Sequence, residues 1–448
     1  MSTPSPLSAH SSRRIARNAV LNFGGQALQM LAALAVIPWV VRGLGTETFG
    51  AFQLVWVALT YFAFFDLGLG RATTRFASEA LGRGEVSDLP RIVGSSVLIQ
   101  VALGLVGGML MAGLAPVLAQ RILNVPAHLV PAVTAAFRLV AFALPAVMLT
   151  ASCSGVLEAH QRFDLVNAVR VPFGVLTVLA PVVAIRLGAG LVGVVAAVVA
   201  VRVIALTIFG AACLAAVPAL RAPIAFHRGQ LRVMLRYCGW LTVSNVVSPL
   251  MVYLDRYVIG ATLTLSAVSY YTAPYDAVSR LAVFPAALVA TLFPAFSALN
   301  AAGAQERLRR LFRRGLLYLV AAMAPVTLAL MVFARPGLEL WLGAEFAAQG
   351  ARAAQFLLVG ILVNAMAQVP YAVLQGVGRP DLTAKFHLVE LPLYAVALWL
   401  AVTRFGIVGA AVAWTLRALL DAALLFGAAR VLARRARYEV APAPTVGG

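Results

Sequence analysis

Charged residues are scarce in this chain. Asp, Glu, Lys and Arg make up 11% of its 448 residues, whereas hydrophobic residues make up 62%. Soluble domains average roughly 25% charged and 45 to 50% apolar residues. The mean hydropathy of +0.92 has the same bias. The composition therefore excludes an ordinary soluble domain and is typical of a protein that crosses the membrane many times.

Lysine and cysteine are also rare. Lys385 is the single lysine and no GxxxxGK[ST] loop is present, which excludes a Walker-type ATP site. Cys153, Cys213 and Cys238 show neither CxxC spacing nor the His/Cys spacing of a zinc site, so we expect no disulfide framework and no metal. Basic residues, which give a net charge of +19, recur in short clusters between apolar runs. This pattern argues against a nucleic-acid partner.

Apolar stretches of about 20 residues, the length that spans a bilayer, occur twelve times. They predict an all-α integral membrane fold with about twelve transmembrane helices, near 18–41, 48–70, 92–119, 130–157, 165–186, 190–216, 234–260, 268–298, 312–334, 351–377, 382–403 and 406–430. Of the 35 basic residues, 24 lie at or near the N-terminus, the even-numbered loops and the C-terminal tail. The positive-inside rule then predicts that both termini are cytoplasmic.

A short sequence repeat relates the two halves of the chain. Arg162-Phe163-Asp164-Leu165 recurs as Arg379-Pro380-Asp381-Leu382, and the Gly190 segment GLVG recurs as GIVG at Gly406. These offsets of 217 and 216 residues predict a duplication into two parallel six-helix lobes. We expect lobes at 1–217 and 234–433, a cytoplasmic linker at 218–233 and a tail at 434–448.

Four arginines interrupt the apolar stretches: Arg138, Arg202, Arg280 and Arg417. A guanidinium near the bilayer centre costs roughly 2.5 to 3.5 kcal/mol on insertion scales, so such residues usually face a cavity or a partner. Guanidinium matches phosphate oxygens well, which predicts an anionic head group as ligand. Arg280 follows Asp276 by four residues and Arg417 precedes Asp421 by four, so structural ion pairs are the alternative for these two.

Several motifs stand out along the chain. They are the segment from Arg17-Asn18-Ala19 through Pro38-Trp39, GLGTETFG at 43–50, DLGL from Asp66 with Arg71 and Arg75, DRYVIG from Asp255 and Arg256, YYTAPY at 270–275 and LFPAFS at 292–297. These motifs resemble those of polysaccharide and O-antigen flippases, in the multidrug, oligosaccharidyl-lipid and polysaccharide exporter superfamily. The resemblance implies two six-helix lobes around a cationic central cavity. It also implies translocation of an undecaprenyl-diphosphate-linked oligosaccharide across the bacterial inner membrane, coupled to an ion gradient (H⁺ or Na⁺) and needing no bound cofactor.

The remaining candidate residues follow from this resemblance and from their position. Four embedded acids could carry the coupling ion: Asp66, Asp276, Glu390 and Asp421. Asp255, Arg256, Arg71 and Arg75 match the family motifs and are interpreted as gating elements. The tyrosines at 253, 257, 270, 271 and 275 are interpreted as an interfacial belt, with sugar stacking as the alternative.

Two other functions stay open. A multidrug or cation antiporter of the same superfamily is disfavoured because embedded arginines repel organic cations. A membrane-embedded polysaccharide polymerase or ligase would need a sizeable loop with catalytic residues, and the loops here are short. We therefore expect a transporter rather than an enzyme, with lipid-linked oligosaccharide and membrane lipids as partners. Contact with polysaccharide polymerase machinery is a further expectation.

Overall fold

Helices account for nearly all of the residues that the computed structural model describes, which are 24, 28–64, 68–221 and 249–440. The first seven helices are α1 (Leu28–Leu44), α2 (Thr46–Phe64), α3 (Leu69–Gly82), α4 (Leu89–Val117), α5 (Val130–Ala159), α6 (Phe163–Arg186) and α7 (Leu191–Ala216). After the gap follow α8 (249–262), α9 (Leu265–Ser279), α10 (Val283–Ala301), α11 (Gln305–Val332), α12 (Ala334–Leu342), α13 (Ala344–Gly376) and α14 (Pro380–Val440). No strand occurs within these described ranges.

Eight helical segments in the described part of the chain are long and apolar enough to cross a membrane. The predicted all-α, multi-pass membrane fold is therefore confirmed. Each of the twelve predicted stretches overlaps a helix, although most of 18–27 and all of 234–248 lie outside the described residues. The second stretch differs at its end, because Gly68 has a φ of 77° and an amphipathic helix, α3, starts at Leu69.

Helix α14 is too long for one crossing. Its apolar part, Asp381–Leu432, has 52 residues, or roughly 78 Å at 1.5 Å per residue, against a hydrocarbon core of about 30 Å. Gly406 divides it with φ 60° and ψ −143°, a conformation that only glycine adopts readily. The division coincides with the break that the sequence predicts between the last two spans.

The chain consists of two compact units. Unit 1 comprises Met1–Tyr253 with Thr264–Ser269, and unit 2 comprises Leu254–Leu263 with Tyr270–Gly448. The lobe boundaries expected from the sequence repeat stay a prediction.

The sequence repeat has a counterpart in local structure. The turn before α6 contains Gln161 with φ 55°, and the turn before α14 contains Gly378, 217 residues later, with φ 78°. The next residue in each turn is an arginine that pairs with the aspartate two positions on, Arg162 with Asp164 at 3.1 Å and Arg379 with Asp381 at 2.9 Å. The same backbone turn and the same ion pair thus recur at the predicted offset.

A second pair of turns repeats at a similar offset. Gly84 before α4 and Gly303 before α11 have φ values of 76° and 66°. In each, the following residue donates its N–H to a carbonyl five residues earlier, Glu85 to Ala80 at 2.9 Å and Ala304 to Leu299 at 3.0 Å. These matches support an internal duplication.

Small residues let the helices of unit 1 pack closely. A Cβ at Gly104 of α4 would lie 2.6 Å from Cα of Pro145, and one at Gly108 would lie 2.6 Å from the carbonyl oxygen of Ala141. Such contacts allow membrane helices to approach where the hydrophobic effect gives no driving force.

Close packing at a glycine also joins α13 to α14 in unit 2. A Cβ at Gly360 would lie 2.6 Å from the Trp414 ring, and the Thr415 hydroxyl donates to the carbonyl of Phe356 at 2.8 Å. These contacts fix the rotation of the second half of α14. They thereby set the direction of Arg417, one turn beyond Trp414.

Candidate functional site

Unit 2 has an unusually charged interior for a membrane bundle. Asp255, Arg256, Glu390, Arg417 and Asp421 are all buried, with exposed fractions of 0 to 8%. Ionisable side chains at such depth are costly and mark functional positions. Three groups of contacts organise them, one around Asp255 and Arg256, one around Arg417, and one in which Glu390 and Asp421 meet His387.

The first group connects α8 to α9. Asp255 accepts the Tyr271 hydroxyl on Oδ2 at 2.5 Å and the backbone N–H of Arg256 on Oδ1 at 2.8 Å. Arg256 donates from Nη2 to Oδ1 of Asp276 at 2.7 Å, and its guanidinium lies 4.8 Å from the centre of the Tyr275 ring. Both residues of the family motif are thus hydrogen-bonded inside unit 2.

The second group surrounds Arg417 in the second half of α14. Its guanidinium lies 5.6 Å from the centre of the Trp414 ring and 5.8 Å from that of Tyr394. The Tyr275 ring meets Trp414 edge-on with the ring centres 5.8 Å apart. Nε of Arg417 is buried without a hydrogen-bond partner among the described residues. The aromatic rings stabilise the Arg417 cation, and its Nε–H remains available to donate to an anion.

The described residues show no ion pair between Arg417 and Asp421, four positions on. Asp421 lies instead beside His387 and Glu390, from the first half of α14. Asp276 pairs with Arg256 on α8, while Arg280 is exposed in the short turn Arg280–Ala282. Sequence spacing alone thus identified the charged residues but not their partners.

Unit 1 contributes Arg202 and Arg138. Arg202 lies on α7, is half-buried, and its Nε is buried without a partner among the described residues. Arg138 is exposed on α5, where it and Phe142 line two clefts of about 790 and 530 Å³ with mainly apolar walls. The exposed guanidinium of Arg138 is therefore accessible to a ligand. The buried Nε of Arg202 lacks an acceptor among the described residues.

The other predicted site residues lie apart from these groups. Arg71 and Arg75 are exposed on the amphipathic helix α3, where Arg75 pairs with Glu79 at 2.8 Å. Asp66 lies outside the described residues.

The interfacial interpretation of the tyrosines is wrong for Tyr271 and Tyr275, which are buried. The Tyr271 hydroxyl donates to Asp255 and the Tyr275 ring contacts Arg256, both on α8. No sequence pattern reveals these contacts between helices. Sequence reasoning also missed Tyr394, Trp414 and His387. His387 precedes Glu390 by three residues, a helical spacing that could have indicated their contact.

The motifs and this buried charge can be compared with known proteins. The family model for polysaccharide biosynthesis proteins matches residues 15–300, well over half of the chain. The chain belongs to this family. A protein of Shigella flexneri named as a candidate O-antigen transporter is 27% identical over 92% of this chain and 96% of its own. "Probable flippase AglR" of Haloferax volcanii is 22% identical over 92% of this chain and 82% of its own.

Solved structures share the fold of this polysaccharide biosynthesis family member. An inward-facing multidrug resistance MATE family transporter of the MOP superfamily superimposes with a TM-score of 0.82, at 17% identity over 92% of this chain and 96% of its own. A MOP superfamily transporter from Pyrococcus furiosus, whose binding pocket is described as having reverse polarity, gives 0.62 at 15% identity, covering 94% and 96%. The chain therefore has the fold of these solved MOP superfamily transporters.

Proposed function

We propose that this protein is a flippase for a lipid-linked oligosaccharide in surface polysaccharide biosynthesis. Its cargo is an undecaprenyl-diphosphate-linked repeat unit of an O-antigen, capsule or exopolysaccharide, which it moves across the bacterial inner membrane. The family membership and the flippase and O-antigen transporter names of its relatives support this proposal.

The observation that carries the proposal is the pair of buried donors on Arg202 and Arg417. A buried guanidinium N–H without an acceptor is costly, so it calls for a ligand. The ligand must be an acceptor and is best an anion, because the group is always charged. A diphosphate offers oxygens that accept such donors bidentately.

The proposed architecture has twelve spans in two parallel six-helix lobes, 1–217 and 234–433, joined by a linker at 218–233. Both termini, including the tail at 434–448, are cytoplasmic. The recurring turns before α6 and α14 support the duplication. Transport proceeds by alternating access between the two membrane faces, with Arg202 and Arg417 as one cation from each lobe.

Coupling to an ion gradient completes the proposal. Glu390 and Asp421 are buried carboxylates that a cation or a proton would neutralise. Asp276, already paired with Arg256, and Asp66 are secondary candidates. Arg280 and Arg138 bind the anionic substrate from exposed positions. The proposed gating elements are the motif residues Asp255, Arg256, Arg71 and Arg75. Membrane lipids and the polysaccharide polymerase machinery are the proposed partners.

Export of organic cations is the second candidate, because solved structures of this fold include multidrug transporters. The unpaired guanidinium of Arg417 disfavours a cationic cargo by direct repulsion. Cation export that depends on this protein would favour the second candidate over the first.

Surface polysaccharide in cells that lack the chromosomal copy tests the proposal. We expect Arg417→Ala and Arg202→Ala each to lower polysaccharide output and the double variant to abolish it. Arg352→Ala, an exposed arginine of α13 in unit 2, serves as the matched control and should retain full output. Wild-type output from the double variant at equal protein abundance would overturn the proposal.

A further inference from the structure

His387, Glu390 and Asp421 converge in unit 2. His387 and Glu390 occupy one face of the first half of α14, with His387 Nδ1 at 3.7 Å from Glu390 Oε2. Asp421 belongs to the second half, beyond the break at Gly406. One potential ligand atom from each residue lies within 4.8 Å of the other two. The bend in α14 therefore brings together side chains that are far apart in sequence.

The polar atoms of this cluster lack hydrogen-bond partners among the described residues. Both oxygens of Glu390, Oδ1 of Asp421 and Nδ1 of His387 are buried and unsatisfied. Glu390 has an exposed fraction of 0% and Asp421 one of 7%. Buried carboxylates without donors are strongly disfavoured, so these two lack a hydrogen-bonded counter-charge among the described residues.

The neighbouring arginine does not supply that charge as an ion pair. Arg417 lies one helical turn before Asp421, but its guanidinium contacts the rings of Tyr394 and Trp414. Arg256 is paired with Asp276. Two carboxylates thus face each other with an imidazole as the third group. Such an arrangement either shares a proton or holds a cation.

We propose that His387, Glu390 and Asp421 form a binding site for a divalent transition-metal ion of the zinc class. One imidazole nitrogen and two carboxylates are a ligand set of zinc sites and suit manganese as well. Mg²⁺, Ca²⁺ and Na⁺ prefer oxygen ligands throughout, so the imidazole selects against them. The ligands of a tetrahedral zinc ion lie roughly 3.4 Å apart at metal–ligand distances of about 2.0 to 2.1 Å. Side-chain rotations that close the present spacing by up to about 1.4 Å would therefore complete the site.

The metal would have a structural consequence. It would join the two halves of α14 across the break at Gly406 and neutralise the excess negative charge inside unit 2. His387 is the partly exposed member of the three, with 21% of its side chain accessible, so an ion would enter past the imidazole. The site lies one helical turn from Arg417 but contains none of its ring contacts, and its existence does not depend on the cargo.

Metal binding to the purified full-length chain in detergent tests the proposal. After chelator treatment, the binding of Zn²⁺ to the protein is measured by calorimetry. The binding of Co²⁺ is measured by its visible absorption, because the intensity of the bound Co²⁺ bands reports the ligand geometry. We expect one ion per chain and a rise in thermal stability on binding. Glu390→Gln and Asp421→Asn should weaken binding by roughly 100-fold or more, because each removes a direct ligand, whereas even indirect supports are worth 10- to 100-fold.

His387→Gln separates this site from an oxygen-only cation site, because it should abolish the Co²⁺ absorption while leaving both carboxylates. Glu339→Gln, an exposed carboxylate of α12, is the matched control and should bind as the wild type does. Folding is checked by gel filtration and by metal-free thermal unfolding. There Glu390→Gln should be at least as stable as the wild type, because it removes an unpaired buried charge.

Three results would overturn the proposal. The first is that folded wild-type protein binds no stoichiometric Zn²⁺ or Co²⁺. The second is that folded Glu390→Gln and Asp421→Asn bind metal as the wild type does. The third is that acid alone stabilises the protein and metal does not, which would indicate a shared proton. The measurements use no lipid-linked substrate. Their failure would leave the flippase proposal standing, with Glu390 and Asp421 as its coupling carboxylates. A bound metal would leave ion coupling to Asp276 and Asp66, and loss of the transport function would leave the metal site standing.

Discussion

Removing the Tyr271 hydroxyl is the sharpest test of the buried polar network. This hydroxyl donates to Asp255 Oδ2 at 2.5 Å, and both residues have an exposed fraction of 0%. A hydrogen bond to a charged group is worth about 1.5 to 3 kcal/mol, and an unsatisfied buried acceptor adds a desolvation penalty. Tyr271→Phe should therefore lower the free energy of unfolding by roughly 2 to 4 kcal/mol.

Tyr275→Phe is the matched control for this prediction. Tyr275 is also buried, and its ring, which stacks on Tyr271 and contacts Arg256, is kept by the change. We expect a loss below about 1 kcal/mol, as for replacements that keep volume and contacts. Reversible unfolding in mixed micelles gives both values, and membrane abundance gives an independent check. Equal stability of the two variants would refute the role assigned to the Tyr271–Asp255 bond.

Three further predictions concern the backbone. Gly406→Ala should lower the free energy of unfolding by about 1 to 3 kcal/mol, because φ 60° with ψ −143° is strained for a residue with a Cβ. Gly427 has open space around it, so Gly427→Ala is the control and should be neutral or stabilising in a thermal melt. Gly104→Ala should lower membrane abundance and melting temperature through a clash with Pro145, and Gly113→Ala should not; equal losses would contradict the α4–α5 packing. Gln161→Gly should stabilise by about 1 kcal/mol, since Gln161 has a φ of 55°, and a loss of stability would show that the strain is absent.

Much of the architecture was readable from the sequence, because membrane helices must satisfy their own backbone and therefore appear as long apolar runs. The repeat at Arg162 and Arg379 predicted a duplication, and the structure has the same ion pair, closed within two residues, at both positions. The end of α2 was not predicted. Apolar character continues through Leu67 and Leu69, but the left-handed Gly68 and the exposed Arg71 end the span and start a surface helix.

The partners of the site residues could not be predicted, for a physical reason. Spacing along one helix shows only which residues share a face, and it placed Asp276 with Arg280 and Asp421 with Arg417. The packing of α8 against α9 gives Asp276 the guanidinium of Arg256 instead, and the bend at Gly406 brings Asp421 to Glu390. Both contacts depend on tertiary structure.

The central claim is that Arg202 and Arg417 act on the anionic head group of a lipid-linked oligosaccharide. Proteoliposomes with a fluorescent undecaprenyl-diphosphate oligosaccharide test it directly, because a membrane-impermeant quencher reports the fraction that has crossed. We expect the labelled lipid to cross fast with wild-type protein and with Arg352→Ala. With the double variant Arg202→Ala/Arg417→Ala, it should cross at the rate of protein-free vesicles. Wild-type crossing by the folded double variant would contradict the central claim.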